Sequence, residues 1–482
     1  MNCIDILFEQ DKLLQDRPGI IYFDNIDSLK NPNKNISFRE FGVQVGRAQK
    51  KLIEMNIQVG DAALLFELPS PALFAVITAM LAMGVKVLLV EPWLPVSEIN
   101  HIIEKIKPKI FVRKFTGRLF ALKAASIRKI PYHLSSEDFL NGTTTIRPFS
   151  IPVEADHVGI LTFTSGTTGR SKGVARTHQY LIDQRNVISK YINYQNLNKL
   201  DLTVFTNLTL MNLALGKGSL IIPKWNPSIL RDLNKLPAEF LPDTIASGPY
   251  FLELLKNCIT NDLLVFDTIK VGGALSGVKQ MEEIQKKFKP KSFYHVYGST
   301  EAEPVAFCLM KDSIENSRAK SFYHCLYLGK SIPEIKTLNQ ETLWVTGAHV
   351  SPYYLDDFVS NEKNKKLING EVYHNMGDRI GIDENSNLWY RGRDFQESED
   401  FILEQNVYMF LQSSEGFISR IGKNLHFVTS LRNDQTKRLK ETFKEIDHVN
   451  IVKEIFKDRR HMSRIDRHKT LSHFKIEKKK GH

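Results

Sequence analysis

Between residues 62 and 112 short apolar runs alternate with stretches long enough to be helices. Ala62 to Leu68 reads as a buried strand, Ala72 to Met83 as a buried helix and Val85 to Val90 as a second strand. Ser97 is placed to cap a helix through Ile106, and Lys109 to Val112 starts the next strand. Strands separated by helices cannot pair as hairpins; the crossover makes the sheet parallel and covers both its faces. The pattern predicts an α/β fold.

The same reading extends in both directions. Ser37 and Glu40 have capping-box spacing, and Phe38, Phe41, Val45, Ala48, Leu52 and Met55 recur at helical intervals behind them. After a polar, basic excursion from Arg113 to Asp156, Leu181 to Tyr191 is helical in pattern. Strand-like pieces follow at Leu202 to Thr206, Ser219 to Ile222, Asp243 to Ala246, Thr268 to Val271 and Ser292 to Tyr297, with helices at Tyr250 to Asn257 and Val278 to Phe288. Beyond residue 300 short segments (Thr342 to Thr346, Glu371 to His374, Arg379 to Ile382, Leu388 to Arg391) are separated by Gly, Asn and Asp, the mark of a β-rich region with hairpin turns. The expected architecture is a large domain, residues 1–390, of two α/β subdomains and a small distorted barrel, followed by a small, mobile α+β domain, residues 391–482.

A chain of 482 residues is too long for one simple core, which agrees with that division. The longest apolar run, Pro71 to Met83, is too short to span a bilayer, and the first residues carry no basic leader. Cys3, Cys258, Cys308 and Cys325 are scattered without metal or redox spacing. A cytoplasmic location is expected. The net charge of +11 is concentrated in the tail from Lys453 to His482. No aromatic-interleaved basic platform goes with it, so a solvated tail is expected rather than nucleic-acid binding, with peripheral contact to an anionic membrane as the remaining use.

One stretch stands apart from this regular pattern. Leu161 to Val174 reads Leu-Thr-Phe-Thr-Ser-Gly-Thr-Thr-Gly-Arg-Ser-Lys-Gly-Val: an apolar strand stops and hydroxyls, glycines and one lysine, Lys172, take over. Glycine lets backbone N–H groups approach a ligand closely, hydroxyls add donors, and the ammonium is a mobile point charge. The combination suits a phosphate chain. It is not the P-loop of NTPases, where Gly and Lys are adjacent; here two residues separate Gly169 from Lys172. Two further clusters follow strands: Gly272-Gly273-Ala274, and Tyr297-Gly298-Ser299-Thr300-Glu301, where an aromatic, hydroxyls and a carboxylate converge at a strand end.

These segments resemble the signatures of the adenylate-forming superfamily, which includes acyl-CoA synthetases, luciferases and peptide-synthetase adenylation domains. The resemblance covers nearly the whole chain, and Tyr297 to Pro304, His374 to Asp378 and Leu388 to Arg393 are most similar to the branch of the bacterial olefin β-lactone synthetases. It implies that Thr164, Ser165, Gly166, Thr167, Thr168, Gly169 and Lys172 hold the phosphates of ATP. It implies that Gly272, Gly273, Ala274, Tyr297, Gly298, Ser299 and Thr300 surround the adenine and α-phosphate, and that Glu301 ligates Mg²⁺. Asp378 and Arg393 would hold the ribose. The partners implied are ATP, a carboxylic (fatty) acid and CoA as acceptor. Two departures matter. Phe395 stands where the hinge usually has an acidic residue, and Arg464 stands where a C-terminal lysine serves adenylation. Arg464 is the remaining catalytic candidate, with Lys469 as its substitute in a shifted register. Three outcomes stay open: acyl transfer to CoA, closure of a β-lactone on the substrate's own β-hydroxyl, or nucleotide binding without catalysis.

Overall fold

The computed structural model describes residues 1–8, 12–90, 94–114, 117, 124–165, 171–192, 194, 196–260, 264–274, 276–324, 326–394, 398–411, 416–432, 434–456, 465 and 467–473. The alternation around residues 62–112 folds as read: Ala62–Phe66, Lys86–Val90 and Ile110–Arg113 are strands, and Pro71–Ala82 and Val96–Ile106 are the helices between them. Ser70 starts the first helix by accepting from the Leu73 N–H, with Pro71 in the first turn, and all twelve residues of the helix are buried. The second differs from expectation. Its cap position is Pro95, without a side-chain cap bond, and Ser97 lies one residue inside the helix. Phe38–Glu54 carries the full capping box of Ser37 and Glu40 and packs its apolar stripe against Pro71–Ala82 in one core.

The first sheet has six strands in the spatial order Tyr132–Leu134, Ile110–Arg113, Ala62–Phe66, Lys86–Val90, Val158–Ser165, Ser171–Thr177. All neighbours are parallel except the last pair, which is antiparallel, its two strands following each other in the chain on either side of residues 166–170. The polar excursion after Arg113 thus returns an edge strand to this sheet. The second sheet has eight strands in the order Ala302–Leu309, Ser292–Ser299, Thr268–Val271, Pro242–Ser247, Leu200–Thr203, Gly218–Ile221, Pro18–Tyr22, Asn35–Ser37, parallel within and antiparallel at both edges. Here the strand read from Leu202 to Thr206 is corrected: it ends at Thr203, and Thr206 opens the helix Thr206–Leu215. Thr209 and Met211 to Ala214 are buried, so this helix has no polar face to betray its period.

The β-rich region forms a three-stranded sheet (Leu326–Lys330, Asn387–Arg393, Asp378–Ile382) and a four-stranded sheet (Lys336–Asn339, Leu343–Thr346, Glu371–Asn375, Lys365–Ile368). Asn387–Arg393 is the middle strand of the former, so residue 391 lies inside the barrel sheet. The tail unit consists of the helix Ser398–Leu411, the sheet Gly416–Ile421, Asn424–Thr429, His448–Ile451, and the helix Arg467–His473. Phe401 docks it edge-on against Tyr390, ring centroids 5.2 Å apart. Among the described residues no helix is long and apolar enough to cross a membrane.

Candidate active site

The hairpin of the first sheet pairs Thr164 with Lys172 and Ser165 with Ser171. The backbone of Thr164 and Ser165 is therefore placed at the lip of the turn. Gly166, Thr167, Thr168 and Gly169 lie outside the described residues. Lys172 is the second residue of the return strand, and its ammonium stands 5.3 Å from the ring centroid of Tyr354.

Tyr354 belongs to a segment that stitches the two sheets together. On one side Leu355 donates its N–H to the Gly173 carbonyl at 2.8 Å, Ser351 Oγ donates to the Ala175 carbonyl at 2.8 Å, and Val174 and Tyr354 form a β-bridge. On the other, Ser351 N–H donates to the Glu301 carbonyl at 2.7 Å and Val350 bridges Ala302. Glu301 sits in the turn between Ser292–Ser299 and Ala302–Leu309, and its Oε1 accepts from the Tyr354 hydroxyl at 2.8 Å. Lys172 and Glu301, far apart in sequence, thus meet at one tyrosine.

The electrostatics of this point are lopsided toward positive charge. Burial alone would raise the Glu301 carboxyl, but His374 in its protonated form, Lys365, the Tyr354 hydroxyl and a backbone N–H together pull it down to about 2, the His374 share arising only in acid. Lys365 is the first residue of its strand and pairs with His374. Its ammonium donates to the Ser351 carbonyl and lies 5.3 Å from the Tyr354 ring. Burial lowers it to about 8 against the pull of Glu301. Burial also takes the His374 imidazole down to about 3, so it is neutral at neutral pH. The standing cations are therefore Lys365 and Lys172, the latter lowered by burial and partly restored by Glu301.

A second group forms next to the first. Asp378 and Arg393 face each other in register across their strands. Arg393 Nη1 lies 3.1 Å from Asp378 Oδ1 and donates to the Met376 carbonyl at 3.0 Å, while the Tyr297 hydroxyl donates to Asp378 Oδ2 at 2.6 Å. Burial, then Asp378, raise the Tyr297 phenol well above its ordinary value. Asp378 follows Gly377, whose φ of 66° lets the chain turn into the strand. Thr300 accepts at its carbonyl from Arg176 Nη2 at 3.0 Å, and Ser299 Oγ points at Met376 Sδ, 3.8 Å away. Gly298 admits no side chain: a Cβ there would sit 2.7 Å from the Ala302 carbonyl oxygen. Gly272, Gly273 and Ala274 follow the neighbouring strand Thr268–Val271, with Gly273 at φ 78°.

The structure brings Lys172 and Glu301 together at Tyr354, and Tyr297, Asp378 and Arg393 together at one strand pair. Arg464 lies outside the described residues, as does Phe395. Lys469, on the tail helix, stands 4.5 Å over the Phe456 ring within its own unit. Sequence reasoning missed Tyr354 and Lys365. Both sit in polar stretches without period, and Lys365 stands in the run from Asn361 to Lys366, whose charges give no sign of burial.

Among the described residues no group of three or more His, Cys, Asp or Glu is placed to hold a metal ion. A single ionised carboxylate such as Glu301 still fits Mg²⁺, which takes one or two carboxylates and completes its shell with phosphate oxygens and water.

The family model "AMP-binding enzyme" matches residues 8–354, more than half of the chain. The chain is 25% identical to 4-coumarate–CoA ligase-like 9 of Arabidopsis thaliana over 341 residues, 64% of this chain and 58% of that protein. It is 24% identical to 4-coumarate–CoA ligase-like 8 of the same plant over 73% of this chain and 68% of that one. Its fold is similar to ATP-bound MatB from Rhodopseudomonas palustris (TM-score 0.77, 18% identity, 99% of both chains). It is also similar to the O-succinylbenzoate–CoA synthetase MenE from Bacillus subtilis in complex with AMP (TM-score 0.74, 16% identity, 94% of this chain and 95% of that one). The chain belongs to the AMP-binding enzyme family.

Proposed function

We propose that this protein activates a carboxylic acid with ATP, giving an acyl-adenylate and pyrophosphate, and then passes the acyl group to CoA. The observation that carries the reading is the meeting of Lys172 and Glu301 at Tyr354, beside the Asp378–Arg393 pair. Two anions, a carboxylate and the α-phosphate, must be brought together, so fixed cations and donors carry most of the catalysis. Lys172 would neutralise the leaving pyrophosphate. Glu301, kept ionised by Lys365 and oriented by Tyr354, would hold Mg²⁺, whose charge neutralises the phosphates when bound. Asp378 accepts from the ribose hydroxyls, Arg393 holds Asp378 in place, and Tyr297 offers its ring to the base. The chain after Arg393 would form the smaller domain, supply Arg464 and turn about the region of Arg393 between the two half-reactions.

A long-chain acid is the substrate class favoured by the motifs at Tyr297 to Pro304 and His374 to Asp378. Those motifs also support a second reading, β-lactone closure, in which product forms without CoA. Acid-dependent ATP–pyrophosphate exchange tests the proposal, with product analysis in the presence and absence of CoA separating the two readings. Tight ATP binding with no exchange for any acid, even in Arg464→Lys, would replace both with a nucleotide-binding role.

A further inference from the structure

Away from the phosphate end, one cation is buried without a hydrogen-bond acceptor. Lys270 lies in the strand Thr268–Val271, two residues before Gly272, and is 4% exposed. Its Nζ has no hydrogen-bond partner among the described residues. An ammonium held out of water without acceptors is costly, so such a group gives up its proton more easily, takes up water or meets a ligand.

Side chains alternate between the faces of a strand. Ile269 and Val271 enter the apolar core of the second sheet together with Phe293. Lys270 therefore lies on the opposite face, where its strand neighbours are Ala246 and Tyr294, and Thr203 and Thr244 continue the same face. Across from it stands Tyr194, whose ring centroid is 5.0 Å from Lys270 Nζ and 5.1 Å from Lys217 Nζ. The two lysines differ in one respect. Lys217 donates to Asp243 Oδ1 and to the Asn196 carbonyl, both at 2.6 Å. Asp201, facing Lys270, is already engaged by Asn212 Nδ2 at 2.9 Å and by the Thr244 hydroxyl. Asp201 and Asp243 offset the two ammonium charges, yet the N–H donors of Lys270 stay unused.

The strand that carries Lys270 runs toward Gly272 and Gly273. Two residues further along the strands, about 7 Å, stand Gly272 and Gly248, without side chains. A Cβ at Gly248 would meet nothing nearer than the Gly272 carbonyl, 3.8 Å away. Ile188, Met211, Leu208 and Leu215 gather with Tyr194 into a small apolar cluster on the same side.

We propose that Lys270 sets specificity at the far end of the acid site, donating to an oxygen carried in the tail of the acid. The preferred substrate class is then an acid bearing a hydroxyl, keto or ether oxygen beyond its carboxyl group, rather than a plain hydrocarbon chain. A neutral acceptor is preferred to a second carboxylate because Asp201 and Asp243 already balance the charge. The inference rests on the reading of this chain as an acid-activating ligase.

The test uses medium- and long-chain straight acids, each paired with its hydroxy, oxo and terminal-carboxy counterparts. In pyrophosphate exchange the hydroxy or oxo acid should exceed its plain partner in kcat/KM by about 10- to 100-fold, the range of a hydrogen bond to a charged group. Lys270→Met should erase that ratio without moving KM for ATP, and Lys270→Gln, which keeps a donor, should retain part of it. Equal use of plain and oxygenated acids by the wild type, an unchanged ratio in Lys270→Met, or preference for the terminal-carboxy acids overturns the proposal. Calorimetric binding of the same pairs without nucleotide decides the matter even where no exchange occurs. Selective binding of an oxygenated acid that Lys270→Met loses supports the role of Lys270 while the ligase reading fails; binding without discrimination, or none, overturns the role.

Discussion

Tyr354 donates its hydroxyl hydrogen to Glu301 Oε1 at 2.8 Å while its ring lies 5.3 Å from the Lys172 ammonium. The bond joins the end of the second sheet to the hairpin of the first, because the segment around Tyr354 is itself bonded to Gly173 and Ala175. A carboxylate and an ammonium are thereby held on one rigid aromatic instead of on two independent loops.

Tyr354→Phe removes the hydroxyl and keeps the ring. Losing a hydrogen bond to a buried carboxylate costs about 1.5–3 kcal/mol, equivalent to about a 10- to 100-fold fall in kcat/KM for pyrophosphate exchange if Glu301 acts in the transition state. A fall in Tm should accompany it. Exchange at the wild-type rate in a destabilised Tyr354→Phe would assign the bond a purely structural role.

Stability should fall on the acid side in a defined window. Glu301 is depressed from 4.5 to about 2 in the folded state. A depressed carboxyl contributes stability that is fully present above its unfolded value and is lost as pH falls through the folded one. Between about pH 4.5 and 2 this group alone should remove on the order of 3 kcal/mol. Denaturant midpoints of the wild type and Glu301→Gln should converge across that window; parallel curves would exclude Glu301 as the source.

Lys365 governs the alkaline side. Its ammonium is lowered from 10.5 to about 8, so its burial costs stability below about pH 8, and the cost is relieved as pH rises toward the unfolded value. Activity should move in the opposite sense. As Lys365 loses its proton above about pH 8, Glu301 loses its standing counter-charge, and exchange should decline. Lys365→Arg, which stays charged at all these pH values, should shift the decline upward, whereas Lys365→Met should lower exchange throughout.

These residues show what was readable beforehand and what was not. The strand–helix alternation from Ala62 to Val112 was legible because each element is short, punctuated and one-sided or wholly apolar. Lys172, Glu301, Asp378 and Arg393 could be singled out beforehand because each stands in a compact motif. Tyr354 and Lys365 were not, since their roles come from pairing with partners distant in the chain: Val174 for the one, His374 for the other. The helix Thr206–Leu215 escaped for the opposite reason. Burial on most of its circumference leaves no alternation for a periodic reading to find.

The Asp378–Arg393 pair should separate nucleotide binding from turnover. Asp378 is 5% exposed and holds Arg393 and the Tyr297 hydroxyl together. Asp378→Asn keeps an oxygen for one partner but removes the charge that compensates the half-buried guanidinium. KM for ATP should rise about 10-fold or more, in line with the cost of leaving one charge unpaired, about 3–5 kcal/mol when fully buried. Direct ATP titration checks it, and an unchanged affinity would remove this pair from the ribose site.

In the tail, Arg467 Nη2 donates to both oxygens of Glu404, at 2.8 and 2.9 Å, and Nη1 donates to the Ile418 carbonyl at 2.8 Å. Burial raises the Glu404 carboxyl, and Arg467 opposes it. Arg467 opens the last described helix, three residues after Arg464, so the clamp sets where that part of the chain begins. Arg467→Ala strands a buried carboxylate and should cost about 3–5 kcal/mol in the tail unit, read as lost hydrogen-exchange protection over Gly416–Ile421 and the helix Arg467–His473. Glu404→Leu combined with Arg467→Met replaces the pair by apolar volume and should recover most of that protection. The two effects then part company. If the clamp also aligns Arg464 for adenylation, exchange stays low in the double variant although the fold is restored; if exchange recovers with protection, the clamp serves stability alone.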